Sequence, residues 1–484
     1  MIVSVMLLYA LIVAGISIWA GRRTGRARDF FVAGEGIGIW TLGIAAMAAT
    51  LSGFAFIGGP GLVYSIGLGA LFIVLPASLT NTLVAWVLAK RMRLLGEVRG
   101  LITIPDAIGA RYRSPSAQAL SGLAILIAIV GYTATNILAL GLVVDALFGT
   151  GLGWGIWIGM AVVVSYSASG GILAGVYTDV FQGSVMALAS VLVFGFAMAS
   201  GGGLAGISRT ILEHDPGFLA PWGTLTPLAA LSFFFVFGVG ALGQPHVVHK
   251  FYMLRDPLKL KWYPAIMTGA LLVTLLLYFG VGIAVKAEVA RGVLPALARP
   301  DDATPQFLLH YTPALLSGLV FAGVAAAIMS TVNSFLNIGA AVVTHDLPVS
   351  LGRPLRDELA WGRLTTVLLA LSAALVAQWS GTLVAFLGIF GWGLFASTLV
   401  PALAIGLNWS GATRAGALAS IATGLVTTLG FESAAYFKVF SIPAGVTVSG
   451  LSLVLSLLVF FGVSALTRGQ AGEIDPDVAL VMEA

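Results

Sequence analysis

An otherwise apolar run, Ala325-Ala326-Ala327-Ile328-Met329-Ser330-Thr331-Val332-Asn333-Ser334, carries three hydroxyls and an amide. Ala327, Ser330, Thr331 and Ser334 recur at i, i+3, i+4 and i+7, which is one face of a helix. Two adjacent hydroxyls beside a backbone carbonyl suit a small hard cation, because such ions take oxygen ligands. The alternative is that the hydroxyls bond back to their own helix, a habit of Ser and Thr in membrane spans. Asp179 is a second chemically capable group, and Thr178-Asp179 could equally cap a helix that starts there. His246 and His249 read as structural residues at an interface.

Glycine and proline gather at two places. One stretch has Ser52-Gly53 and then Gly58-Gly59-Pro60-Gly61; the other has Gly238, Gly240, Gly243 and Pro245. Unwound backbone at membrane depth is tolerated only where it lines a cavity or is buried in protein. A single Gly could serve only close helix packing. Two interrupted spans at matching places in the two halves instead point to an inverted-repeat transporter.

The surrounding elements must be membrane helices. Of 484 residues, 59% are apolar and 9% are charged, and mean hydropathy is +1.02. A water-facing surface needs about a quarter charged residues, so the chain is an integral membrane protein. With Cys 0, disulfides, thiolate metal sites and thiol nucleophiles are excluded. A span needs about 20 apolar residues. The sequence predicts about thirteen, near 1–20, 38–66, 68–92, 115–147, 153–169, 177–202, 225–247, 262–285, 311–343, 362–380, 382–407, 412–431 and 443–466. With the N-terminus outside, the loops assigned to the cytoplasm collect most Lys and Arg. Only Arg209, Lys286, Arg291, Arg299 and Lys438 stay outside, of 24 in all. That bias fits the positive-inside rule, with the C-terminus in the cytoplasm.

The two interrupted spans each open a group of five, so the second group is inverted relative to the first. The expected architecture is all-α, with a 5+5 inverted-repeat core and two broken helices. Its parts are an extra helix and loop at 1–37, repeats at 38–202 and 203–407, two further helices at 408–467, and a cytoplasmic tail at 468–484.

These residues resemble the sodium/solute symporter family, its sodium/proline branch in particular. The likeness runs through Asp29-Phe30-Phe31-Val32-Ala33-Gly34, then Ser52-Gly53, Gly58, Pro60-Gly61, Tyr64 and Gly67. It continues in Gly170-Gly171-Ile172, Tyr177-Thr178-Asp179-Val180-Phe181-Gln182, Gly243-Gln244-Pro245-His246 and Met329-Ser330-Thr331. It implies a leucine-transporter-type core. It also implies a sodium site made by the carbonyls of Ala48, Leu51 and Ala327 with the hydroxyls of Ser330 and Thr331. A second sodium in some members would correspond to Asp179, Ser330, Asn333 and Ser334, with Asn333 standing where a hydroxyl residue is usual.

The function expected from this is sodium-coupled symport of a small organic solute by alternating access, in a bacterial inner membrane. No span reads as holding a mid-membrane carboxylate or Lys, and proton relays need such groups, so Na⁺ is the expected coupling ion. A sugar is disfavoured, because its many hydroxyls need directional partners and the chain is poor in Asn and Gln. A broken-helix N-terminus suits a carboxylate. Candidate cavity residues are Ser52, Phe54, Thr133, Asn136, Phe237, Gln244 and Trp392. Thr50 stands where proline carriers have Asp and Phe54 where they have Trp, leaving a proline-like amino acid and a small carboxylate both open. The rival classes are a solute sensor, a proton-coupled or sodium-independent carrier, a channel and an intramembrane enzyme. The enzyme lacks any nucleophile–base or metal constellation in the spans. The expected partners are the solute, sodium and the bilayer, with no nucleic acid; the chain is expected to work as a monomer.

Overall fold

The computed structural model describes residues 1–22, 36–380, 384–440, 442, 445–470 and 474–483. The Asp29–Gly34 motif lies outside the described residues, as do Arg23, Arg26 and Arg28 of the charge pattern. The fold is helical throughout, which is what a chain this apolar must do: in lipid each helix satisfies its backbone internally.

After α1 (Ile2–Gly21), a broken helix runs as α2 (Ile39–Thr50), a π-helical turn at Phe54–Gly58 and α3 (Gly59–Ile66). Then come α4 (Leu71–Val84), the short α5 (Ile104–Tyr112), α6 (Pro115–Phe148) and α7 (Leu152–Ser200). The second broken helix is α8 (Pro227–Gly240), a tight turn at Ala241–Gly243 and α9 (Pro245–Val248). It is followed by α10 (Tyr263–Ala290), α11 (Ala303–Tyr311), α12 (Ala314–Ala341) and α13 (Glu358–Trp379). The chain continues with α14 (Val384–Leu399), α15 (Arg414–Tyr436) and α16 (Val448–Thr467).

Among the described residues, 11 helices are long and apolar enough to cross a membrane, and two shorter apolar helices are Ile39–Thr50 and Leu152–Ser165. Eleven is not a count of crossings, since the 46-residue run Phe54–Arg99 and the 49-residue α7 each exceed one span of about 20 residues. Ile39–Thr50 is short because its span breaks at Ser52. The predicted gap between 169 and 177 does not exist: α7 is one helix of 49 residues. Gly170-Gly171 weakens a helix by about 1 kcal/mol per Gly, and with no Pro beside it the helix continues. Asp179 is consequently mid-helix, and the capping reading falls.

The centre of the bundle is α6, α12 and α14, buried along most of their lengths, while α1 lies at the periphery. Lipid is as apolar as Leu, so close packing rather than water exclusion holds these helices together. At one end α11 holds the first broken helix and the turn before it holds α14. Thr304 Oγ1 donates to Phe56 O at 2.7 Å, and Asp301 Oδ2 accepts the N–H of Val384, at the start of α14, at 2.9 Å. At the other end α5 is the tie: Tyr112 Oη donates to Ala402 O at 2.9 Å, and Tyr252 Oη reaches Thr103 O at 2.8 Å.

Asp301 is 3% exposed, and burial lifts its carboxyl to about 6. A folded value above the unfolded one means stabilisation that is complete below about pH 4 and lost as pH rises through about 6. Asp301→Asn keeps an acceptor for Val384 N–H and removes the charge. Relative to that variant, wild type should lose up to about 2–3 kcal/mol of stability between pH 4 and 7. Parallel thermal unfolding of both proteins across that range checks it; matching slopes refute it.

Candidate functional site

At the first break the backbone accounts fully for what it exposes. In an unbroken helix Ser52 N–H would bond Ala48 O, but it turns to Thr50 O at 3.1 Å; Ala55 N–H would bond Leu51 O, but it goes to Ser52 O at 2.9 Å. The carbonyls of Ala48 and Leu51 are thus released from the helical ladder. Gly53 N–H is taken by Asn136 Oδ1 of α6 at 2.8 Å, and Phe54 N–H by Ser52 Oγ at 3.1 Å. Gly53 is required here, because a Cβ would meet the Cβ of Ala139 at 2.6 Å.

The α12 hydroxyl face lies against this break. Thr331 Oγ1 reaches Ala49 O at 2.8 Å and Ala327 O at 3.0 Å, tying the two helices together. Ser330 is fully buried; its Oγ bonds no carbonyl of its own helix and faces Asp179 of α7. A buried hydroxyl free of its helix, released carbonyls and an all-oxygen donor set fit a hard monovalent cation. Back-bonding is thus half right: Thr331 does it toward Ala327, and Ser330 does not.

Two charges are inside the bundle, contrary to the expectation that the spans hold none. Lys250 Nζ sits 3.0 Å from Asp179 Oδ2, with both side chains 1% exposed. Lys250 reads in sequence as one of a run of loop cations. The chain instead turns it inward after α9, because a buried carboxylate must be paired. His246 is likewise buried rather than interfacial; neither ring nitrogen has a hydrogen-bond partner, and its ring lies 4.8 Å edge-on from Phe335.

Between the breaks and α14 lies a cavity of about 50 Å³ lined by Phe54, Phe237, Trp392, Tyr132, Tyr278 and neighbouring aliphatic residues. Phe54 stacks on Phe237 at 6.2 Å and Phe237 on Trp392 at 5.1 Å. These three rings together form the aromatic wall of the cavity. Of the predicted cavity residues, Phe54, Phe237 and Trp392 line it. Ser52 and Asn136 instead cap the break, and Gln244 braces the second break through Gly240 O at 2.9 Å and Trp392 O at 3.3 Å. Thr133 is buried with an unpartnered hydroxyl and is not among the lining residues. Sequence reading missed Tyr278, whose hydroxyl is buried and unpartnered. Nothing in its apolar span distinguishes it from a packing residue.

A family model described as the sodium:solute symporter family matches residues 30–424. The chain belongs to the sodium:solute symporter family. It is thus a sodium-coupled solute symporter, a multi-pass membrane protein and not an enzyme. The symporter is 30% identical over 428 residues to sodium/proline symporter 2 of Staphylococcus saprophyticus, covering 84% of this chain and 81% of that protein. It is 29% identical to the osmoregulated proline transporter OpuE of Bacillus subtilis, over 86% of this chain and 85% of that one. Against the sodium/pantothenate symporter of Escherichia coli the figures are 26%, 93% and 94%. Among solved structures, a Na⁺-coupled sialic acid symporter in a substrate-bound outward-open state shares the fold, with TM-score 0.78 at 19% identity, covering 97% of this chain and 98% of that one.

The different work of two candidate residues is testable. Asn136→Leu strands Gly53 N–H and should cost about 1–3 kcal/mol. Thr133→Val removes an unpaired hydroxyl and should be neutral or stabilising. Thermal unfolding of the two variants without solute decides; equal losses would refute the assignment.

Proposed function

We propose that the symporter moves one small carboxylate-bearing solute with an apolar body, an amino acid of proline-like size or a small carboxylate, and that sodium sits where the first break meets α12. The ligands are the carbonyls of Ala48, Leu51 and Ala327 and the hydroxyls of Ser330 and Thr331. The observation that carries this is the release of Ala48 O and Leu51 O from the helix beside the buried Ser330 hydroxyl, which bonds no carbonyl of its own helix. Sodium there draws α2 and α12 together and favours the state that accepts solute.

The solute's apolar body fits among Phe54, Phe237 and Trp392, and the free Tyr278 hydroxyl donates to its carboxylate. Proline, pantothenate and sialic acid, the solutes named for the relatives, all carry a carboxylate. The core divides into repeats at 38–202 and 203–407, and gating of the bundle exposes ion and solute to the cytoplasm. The N-terminus is outside and the C-terminus inside a bacterial inner membrane, as the loop charges favour. Inward movement of one Na⁺ contributes about 2.3 kcal/mol per 100 mV.

Ligands that bind only the folded state raise its melting temperature, by about 2.7 kcal/mol of stability at a hundred times Kd. Purified wild type should melt higher in sodium than in choline, and higher again with a carboxylate solute from a panel of amino acids and short acids. Ser330→Ala with Thr331→Ala should abolish the sodium shift while the protein still folds; a retained shift refutes the site. Phe54→Ala should weaken the apparent affinity for the solute about tenfold or more, the loss of about 1.4 kcal/mol of contact, and leave sodium affinity unchanged. Unchanged solute affinity would return Phe54 to packing.

A further inference from the structure

The interior of the bundle holds one negative charge beside the sodium ligands, and a side chain already answers it. Asp179 on α7 is fully buried, and Lys250, in the turn following α9, places Nζ 3.0 Å from Oδ2. Ser330 Oγ on α12 faces the same carboxylate as a hydrogen-bonding neighbour. Asn333, one turn further along α12, reaches α7 so closely that only Gly fits at 175, one turn before Asp179. The carboxylate, the Ser330 hydroxyl and the Asn333 amide therefore converge from two helices on one small polar pocket.

We propose that the Lys250 ammonium is a resident cation in this pocket, taking the place beside Asp179 that a second sodium would occupy, so that one sodium moves per turnover. The inference rests on the sodium assignment proposed above for its stoichiometry, but not for the chemistry of the pocket. One carboxylate balances one monovalent cation. An ammonium tethered by its own chain is held at a local concentration that no free ion matches. Like charges a few ångströms apart in a dry interior repel strongly, so a sodium cannot join the pair. Removing the ammonium leaves a buried carboxylate beside a hydroxyl, oxygen donors for a hard cation.

The test uses full-length protein in detergent, with sodium chloride against choline chloride at constant ionic strength. Wild type should bind radioactive sodium at one ion per chain, with a single-site dependence of melting temperature on sodium. Lys250→Met should melt lower than wild type in choline. Sodium should restore it with a steeper, two-site dependence and a second bound ion. Lys250→Arg keeps a resident cation and should behave as wild type. Asp179→Asn with Lys250→Met removes both charges, a change buried pairs commonly tolerate. It should fold and lose the second ion.

Two sodium ions bound to wild type would overturn the proposal. So would a Lys250→Met protein that sodium restores no better than choline. If Lys250→Met does not fold, the wild-type stoichiometry and the double variant still decide. A wild type blind to sodium, paired with a Lys250→Met protein that sodium rescues, would sink the Ser330–Thr331 site and leave this inference standing.

Discussion

Backbone that leaves the helical ladder inside a membrane must find partners within the protein, and this fold is arranged around that constraint at residues 51–53. Each freed N–H there meets a built acceptor: Asn136 for Gly53, Ser52 Oγ for Phe54 and Ser52 O for Ala55. The freed carbonyls are treated differently. Ala49 O receives Thr331 Oγ1, whereas Ala48 O and Leu51 O lose their helical donors. That asymmetry separates a hinge from a cation site. Saturating the donors fixes the shape of the break, and releasing two acceptors leaves it able to bind a positive ion.

The cavity follows from the same break. Because the chain turns at Ser52, Phe54 points between the two broken helices, where it meets Phe237 and, through it, Trp392. The second break is braced by Gln244 onto the carbonyl of that Trp392. Both breaks therefore bear on one aromatic stack. Parting the rings to admit a solute pulls on both, and a sodium that draws α2 toward α12 acts on the nearer one. With sodium at the proposed site, coupling needs no long relay, since its ligands and the ring contacts are a few residues apart on the same broken helix.

Much of this was legible in the sequence, and the rest was hidden for identifiable reasons. Gly/Pro clusters and a hydroxyl face are local patterns, so the breaks and the Ser330–Thr331 face could be read directly. Asn136 reads in sequence as a cavity residue; its partner, Gly53 N–H, lies 83 residues away, and no spacing rule points to it. The continuity of α7 was missed because Gly-Gly resembles a loop in composition and yet a helix supported by neighbours runs through it. Tyr278 was missed because an aromatic in a span carries no local mark of an unpaired hydroxyl.

Lys250 shows most clearly where charge counting stops. It stands before Arg255, Lys259 and Lys261, and counted with them it supports the positive-inside rule just as well whether it faces a headgroup or a carboxylate. Only burial separates the two, and a buried ion pair is a costly feature that hydrophobic side chains could often replace without loss of stability. Its presence beside the ion ligands is therefore better explained by what the pocket must exclude than by what the fold needs. For a net-neutral solute such as a zwitterionic amino acid, a carrier with one mobile sodium concentrates it by about fiftyfold per 100 mV of membrane potential. A second mobile sodium would square that factor and also double the ion cost of each solute. The tethered ammonium sets the symporter at the cheaper, shallower end of that choice.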